Sequence, residues 1–285
     1  MDIENTNIPT LLSKKNTHPR DKYISFEEEG HKYTITEPST ISSSSYDKPV
    51  SYISVTTWIG RLFSKFNADE VIKNMKKSKK WNQSKYSSLS EEQIKLSWEK
   101  NRISAANAGT KMHYDIECFY NGIVHDNKSI EYEYFKEYEK DRLEGNYSFT
   151  KEQMNMKAFR TEMTVYDEEL YFAGSIDMLY EYEDGKLCIC DWKRCKEIKK
   201  VNMWQHSNIP GLEHIPDTNY WHYTIQLNLY RYILEKHYGY KINDMYLVCL
   251  HPNNRNCSYI KIIVPILLDE MDILIEYRKN ELKQK

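Results

Sequence analysis

The sequence predicts an α/β fold: a mixed central β-sheet flanked by helices, preceded by an N-terminal β-hairpin and a helical lobe. Three observations predict it. Helical periodicity dominates the first half of the chain; three successive strand-like runs, 158–166, 170–182 and 187–192, open the second; then come a long helix, two more strand-like runs and a last helix.

The elements follow in order. Residues 1–20 are polar and expected to be loose. Residues 23–27 and 31–36 alternate apolar and polar side chains around Glu28-Glu29-Gly30, a hairpin pattern. The run Ser42 to Ser45, between Pro38 and Pro49, reads as a mobile loop over 38–49. Ser54-Val55-Thr56-Thr57 opens a helical stretch through Phe63, and a second amphipathic segment covers 69–77. Ser90 with Gln93 has the spacing of a capping box, in which each side chain satisfies a backbone N–H at the helix start. Helical pattern continues to Tyr120, with Gly109 as a candidate break and Asn121-Gly122 as the stop. A charged, tyrosine-rich helix covers 130–145. Asp167-Glu168-Glu169 and Glu183-Asp184-Gly185 are turns between the three strands. After a loop holding Pro210 and Pro216, a helix covers 219–238 and ends at Gly239; 245–250 and 259–264 are strands and 268–281 is the last helix. No repeat is visible. The expected organisation is a loose 1–20 and one domain over 21–285, with hairpin and helical lobe in 21–150 and the core in 151–285.

Composition narrows the class. A chain of 285 residues, 40% hydrophobic and 13% aromatic, can bury a sizeable core. No apolar run approaches the ~20 residues of a membrane span, and Met1-Asp2-Ile3-Glu4 lacks a signal peptide's apolar segment. An intracellular, non-secreted protein with no membrane partner is expected. The six cysteines (118, 188, 190, 195, 249, 257) form no CxxC pair, which fits a reducing compartment. The formal net charge of −2 does not advertise a nucleic-acid partner, yet a local basic groove needs no basic whole.

Chemistry concentrates in four places. In Gly174-Ser175-Ile176-Asp177, Asp177 sits inside an apolar strand, where an ionised carboxylate is costly without a cation or hydrogen-bond partner. Asp191-Trp192-Lys193 ends the next strand, so Asp177 and Asp191 come close and repel, and a divalent cation relieves that repulsion. Lys193, two residues beyond Asp191, points to the same face and can hold an attacking water and offset phosphate charge. Each motif alone is common; both on consecutive strands are far more specific. In Gly109-Thr110-Lys111-Met112-His113-Tyr114-Asp115-Ile116-Glu117, His113 and Glu117 share a helix face, where an ion-paired surface histidine is the bland alternative to a ligand. A zinc-hydrolase reading lacks the second histidine of HExxH. Gln226 and Tyr230 share a face of the 219–238 helix, and alone they suit the border of a core.

The set GTxxHxxIE, GxxD, DWK and QxxxY, in that order over roughly residues 50–265, resembles the RecB-like branch of the PD-(D/E)XK nuclease superfamily, which includes the mitochondrial genome-maintenance exonucleases. The resemblance implies a restriction-endonuclease-like core and a catalytic site holding one or two Mg²⁺ or Mn²⁺ ions. His113, Asp177 and Asp191 match the metal ligands, with the Trp192 backbone carbonyl as a further one. Lys193 matches the catalytic lysine, and Gln226 and Tyr230 match positions that line the site and place the DNA backbone. Glu162 matches an acidic position of related sites, with a surface strand glutamate as the alternative. Glu117 is either a partner of His113 or a helix-face charge. Thr110, Tyr114, Ser175, Arg194 and Lys196 are candidate nucleic-acid contacts, and lysines 73, 76, 77, 79 and 80 form a second basic cluster. Trp81 and Trp98 suit core packing better than base stacking.

Two departures matter. Ile176 replaces the motif's proline, and the cysteines of iron–sulfur members are missing, so no cluster is expected. No GxxxxGK[ST] motif is present, so no nucleotide cofactor is expected and a separate helicase or replication protein would supply any motor. The implied activity is metal-dependent hydrolysis of DNA, by an exonuclease acting on ends or single strands in replication, repair or recombination. An endonuclease on DNA or RNA, and a non-catalytic nucleic-acid-binding module, are the alternatives.

Overall fold

The computed structural model describes residues 9–27, 30, 32–36, 51–124, 126–146 and 148–284. The loop expected over 38–49, residues 1–8 and the hairpin residues Glu28, Glu29 and His31 lie outside the described residues.

The N-terminal stretch corrects one expectation. Residues 9–20 are tied down, not loose: they carry helix α1 (Leu11–Lys15), whose Leu12 is buried and donates its N–H to Asn121 Oδ1 at 2.9 Å. Asn16 Nδ2 donates to the Phe159 carbonyl at 2.6 Å, and Arg20 pairs with Glu168 at 2.5 Å. These partners lie more than a hundred residues away in sequence. No local periodicity could announce them.

Strands β1 (Ile24–Glu27) and β2 (Lys32–Ile35) form the expected antiparallel hairpin, from Ile24 opposite Ile35 to Glu27 opposite Lys32. Its Ile24 packs with Tyr166 and Ala173, and Tyr33 and Ile35 pack against that group. Ser54 ends the short strand β3 (Ile53–Ser54) and caps helix α2 (Val55–Ile59), its Oγ accepting from Thr57 N at 3.1 Å. Helix α3 (Ala68–Lys76) precedes α4 (Glu91–Tyr120), whose capping box at Ser90 and Gln93 is formed as expected. The anticipated break at Gly109 is absent: α4 runs unbroken for 30 residues. One interior glycine costs only about 1 kcal/mol, too little to interrupt a helix anchored at both ends. Helices α5 (Ile130–Glu144) and α6 (Lys151–Met154) complete the lobe.

The core follows: β4 (Lys157–Asp167), β5 (Phe172–Glu181), β6 (Leu187–Lys193), α7 (Asn219–His237), β7 (Ile242–Cys249), β8 (Ile260–Ile263) and α8 (Asp269–Lys283). β4 and β5, β5 and β6, and β7 and β8 pair antiparallel, whereas β6 and β7, joined through α7, and β3 and β5 pair parallel. The six strands thus make the mixed α/β sheet that the element order predicts.

Each face of the sheet buries its own core. Trp58 of α2, Leu179, Ile189 and Leu247 of the sheet, and Leu229 of α7 form one. Ile116 of α4, Phe135 and Tyr138 of α5, and Tyr180, Cys190 and Trp192 form the other. Alternation along β6 puts Leu187 and Ile189 toward α7, and Asp191 and Lys193 continue that set at the strand end. Trp192 faces the opposite core. Among the described residues, no helix is long and apolar enough to cross a membrane.

Candidate metal centre

Strand register brings the first two carboxylates together. Thr161 lies opposite Met178 and Met163 opposite Ile176, so Glu162 faces Asp177 across the ladder. Glu162 has φ +44°, a left-handed conformation that a residue with a Cβ adopts only at a cost, on the order of 1–3 kcal/mol. Its Oε2 accepts a hydrogen bond from Ser175 Oγ at 2.9 Å, and its Oε1 lies 3.4 Å from His113 Nδ1. Ser175, expected to touch nucleic acid, is engaged in orienting Glu162.

Asp177 is buried. Its Oδ2 accepts from the Trp192 N–H at 2.8 Å and lies 3.6 Å from His113 Nδ1. Burial first, then the nearby charge of Asp191, pushes its carboxyl up to about 7.

His113 reaches both carboxylates from α4. Its Nε2 lies 3.0 Å from the Trp192 carbonyl, which can only accept, so Nε2 carries a proton and Nδ1 faces Glu162 and Asp177. Burial works to lower its pKa, but Asp177 and then Glu162 outweigh that and hold it up at about 9. The Trp192 carbonyl, expected as a ligand, thus anchors the histidine. The contacts of His113 are Glu162, Asp177 and that carbonyl, whereas Glu117 lies one turn further along α4, half-buried.

Asp191 is 2% exposed and doubly engaged: Lys193 Nζ lies 2.6 Å from Oδ2, and Gln226 Nε2 donates to Oδ1 at 3.3 Å. The Lys193 ammonium also sits 4.4 Å over the ring of Tyr223. Burial opposes its charge, but Asp191 and Asp177 more than compensate and push its pKa above the ordinary lysine value. Lys193 therefore stays cationic at the edge of an acidic cluster.

Gly174 explains the glycine of the GxxD motif. A Cβ there would lie 2.7 Å from both Cε1 and Oη of Tyr230, so only glycine lets that buried ring lie against β5. Tyr230 and Gln226, one turn apart on α7, thereby fix the helix over the strands that carry Asp177 and Asp191. Tyr223 was not singled out from sequence; its place three residues before Gln226 on the same helix was the available signal.

The predicted nucleic-acid contacts divide. Thr110 and Tyr114 are exposed on α4 beside His113, and Lys196 is exposed. Arg194 instead donates to Glu131 at 2.7 Å.

One ligand atom from each of His113, Glu162 and Asp177 lies within 4.8 Å of the others. Asp191, expected as a ligand, lies outside that group, and its carboxylate is held by Lys193 and Gln226. One imidazole and two carboxylates are a donor set that could hold a divalent cation, with water completing the shell. The fit is also electrostatic: two facing carboxylates and an imidazole that keeps its proton to an unusually high pH mark a place where positive charge is favoured. No family model and no curated protein matches this chain, so its chemistry rests on the arrangement of these residues.

Proposed function

We propose that this protein is a metal-dependent nuclease of the PD-(D/E)XK type that hydrolyses DNA phosphodiesters, acting on ends or single strands. The supporting observation is the convergence of His113 with Glu162 and Asp177, midway along β4 and β5, and of the Asp191–Lys193 pair at the end of β6 beside them. His113, Glu162 and Asp177, with Asp191 adjoining, would hold one or two Mg²⁺ or Mn²⁺ ions. A cation bound there lowers the pKa of a coordinated water and neutralises phosphate charge.

The chain's own groups do the rest. The Lys193 ammonium, positioned by Asp191 and the Tyr223 ring, donates to the attacking water or to a phosphate oxygen and offsets the charge that builds as the bond to water forms. The Trp192 carbonyl holds the His113 ring, leaving Nδ1 toward the carboxylates. Gln226 fixes the orientation of Asp191. Because Lys193 is already cationic beside buried carboxylates, little reorganisation is needed when the phosphate arrives.

Digestion of end-labelled linear and circular DNA with Mg²⁺, Mn²⁺ or EDTA tests the reading. Loss of linear DNA with metal but not with EDTA, circles surviving, is the expected result. Cut circles would make it an endonuclease with the same site, and no metal-dependent loss of DNA or RNA would sink the nuclease reading.

A further inference from the structure

The segment from Arg194 to Asp217 leaves the end of β6, where Lys193 sits, and returns to the start of α7. It is held by its own hydrogen bonds. Asn202 Oδ1 accepts from Trp204 N at 3.0 Å and Gln205 N at 3.2 Å, Asn202 Nδ2 donates to the Asp217 carbonyl at 2.9 Å, and Asp217 N donates to the Gln205 carbonyl at 2.8 Å. Lys199 N donates to Asn219 Oδ1 at 2.8 Å, and Asn219 Nδ2 donates to the Glu197 carbonyl at 2.7 Å, tying the outgoing strand of the loop to α7.

This frame presents Trp204 to solvent. Trp204 is 91% exposed, with Met203 at 76% and Val201 at 68%. An indole so exposed buries almost no area, so core packing gives no reason for it. These three side chains border a groove of about 670 Å³ with Lys199, Thr218 and His222. Lys196, Lys199 and Lys200 are exposed on the same segment. The two carboxylates that line the groove have partners: Glu197 Oε2 lies 3.9 Å from Lys199 Nζ, and Asp217 Oδ1 lies 2.8 Å from His222 Nε2.

The groove and a residue beside the candidate metal centre share α7. His222 and Gln226 are one turn apart, roughly 6 Å along the axis, and Gln226 touches Asp191. A flat aromatic face beside lysines is what an unpaired base and its phosphates need, whereas a duplex hides its base faces.

We propose that Trp204 is a stacking platform for an unpaired nucleobase, so that the strand delivered to the site is single-stranded. This rests on the nuclease reading. Anisotropy of fluorescein-labelled oligo(dT), an abasic strand of equal length and a duplex, all in EDTA, measures it with the full-length wild type, Trp204→Ala and Trp204→Phe. The exposed position lets both variants fold. Wild type binds oligo(dT) about tenfold more tightly than Trp204→Ala, Trp204→Phe keeps most of that affinity, and the abasic strand does not distinguish them. Equal oligo(dT) binding by wild type and Trp204→Ala, or an equal loss on the abasic strand, would overturn stacking. A wild-type dimer that Trp204→Ala turns into monomer would assign the surface to a second copy of the chain and overturn it too. Metal-dependent cleavage without any Trp204 effect sinks the platform alone; a Trp204 effect without cleavage sinks the nuclease reading and leaves the platform.

Discussion

Replacing Gly174 by alanine puts a methyl group where the Tyr230 ring already lies. The new Cβ would sit 2.7 Å from Tyr230 Cε1 and Oη and 3.1 Å from Cζ, well inside contact distance. The ring is 3% exposed in the main core cluster and cannot swing aside, so α7 or β5 must shift. Overpacking of this kind costs about 1–3 kcal/mol, or roughly 2–10 °C in melting temperature for a chain of this size. Gly109→Ala is the matched control: its Cβ meets nothing within 4 Å and lies inside α4, so the same substitution should stabilise by about 0.5–1 kcal/mol. Thermal unfolding of the two variants should therefore move in opposite directions. Adding Tyr230→Phe to Gly174→Ala should restore only part of the loss, because the Cε1 contact persists. A Gly174→Ala protein as stable as wild type would refute the claim that this glycine admits the ring.

Three further outcomes follow from the site. Mn²⁺ titrated calorimetrically near pH 7.5 should release close to one proton, because His113 keeps its own until about 9 and must surrender it to ligate; affinity should rise with pH up to that value, and proton-neutral binding would contradict it. In EDTA, the raised His113 pKa contributes stability that is complete below the ordinary value of 6.5 and lost as pH rises through about 9; the raised Asp177 carboxyl acts in the same direction, and added Mn²⁺ should flatten the slope of melting temperature against pH. Glu162→Gln should weaken Mn²⁺ binding by about tenfold or more while the fold persists, measured by the same calorimetry; unchanged affinity would remove Glu162 from the ligand set.

Much of this arrangement was legible because local chemistry signals it. The spacing of Ser90 and Gln93 is a capping box whatever surrounds it. Period-two alternation was enough to put Lys193 on the face of Asp191, where the two are paired. The acidic turns were visible because Asp167 accepts from Glu169 N and Leu170 N, a role short polar side chains take at strand ends. What stayed hidden depends on distant partners. Helix α1 exists through Asn121, Phe159 and Glu168, and β3 through two residues of β5. The left-handed turn of Glu162 is a property of its ladder, since glutamate has no preference for it. Likewise a lone Arg194 reads as a phosphate contact until Glu131, more than sixty residues earlier, is found beside it.

Lys193→Ala probes the central claim most directly, because Lys193 contributes charge without belonging to the His113, Glu162 and Asp177 group. Cleavage of an end-labelled single strand would be compared with wild type at saturating Mn²⁺, with Mn²⁺ binding and melting temperature recorded on the same samples. A loss of about 10²–10³-fold in rate with Mn²⁺ still bound is the expected result. Undiminished cleavage by a folded, Mn²⁺-loaded Lys193→Ala protein would contradict the assignment of this site as the centre of hydrolysis.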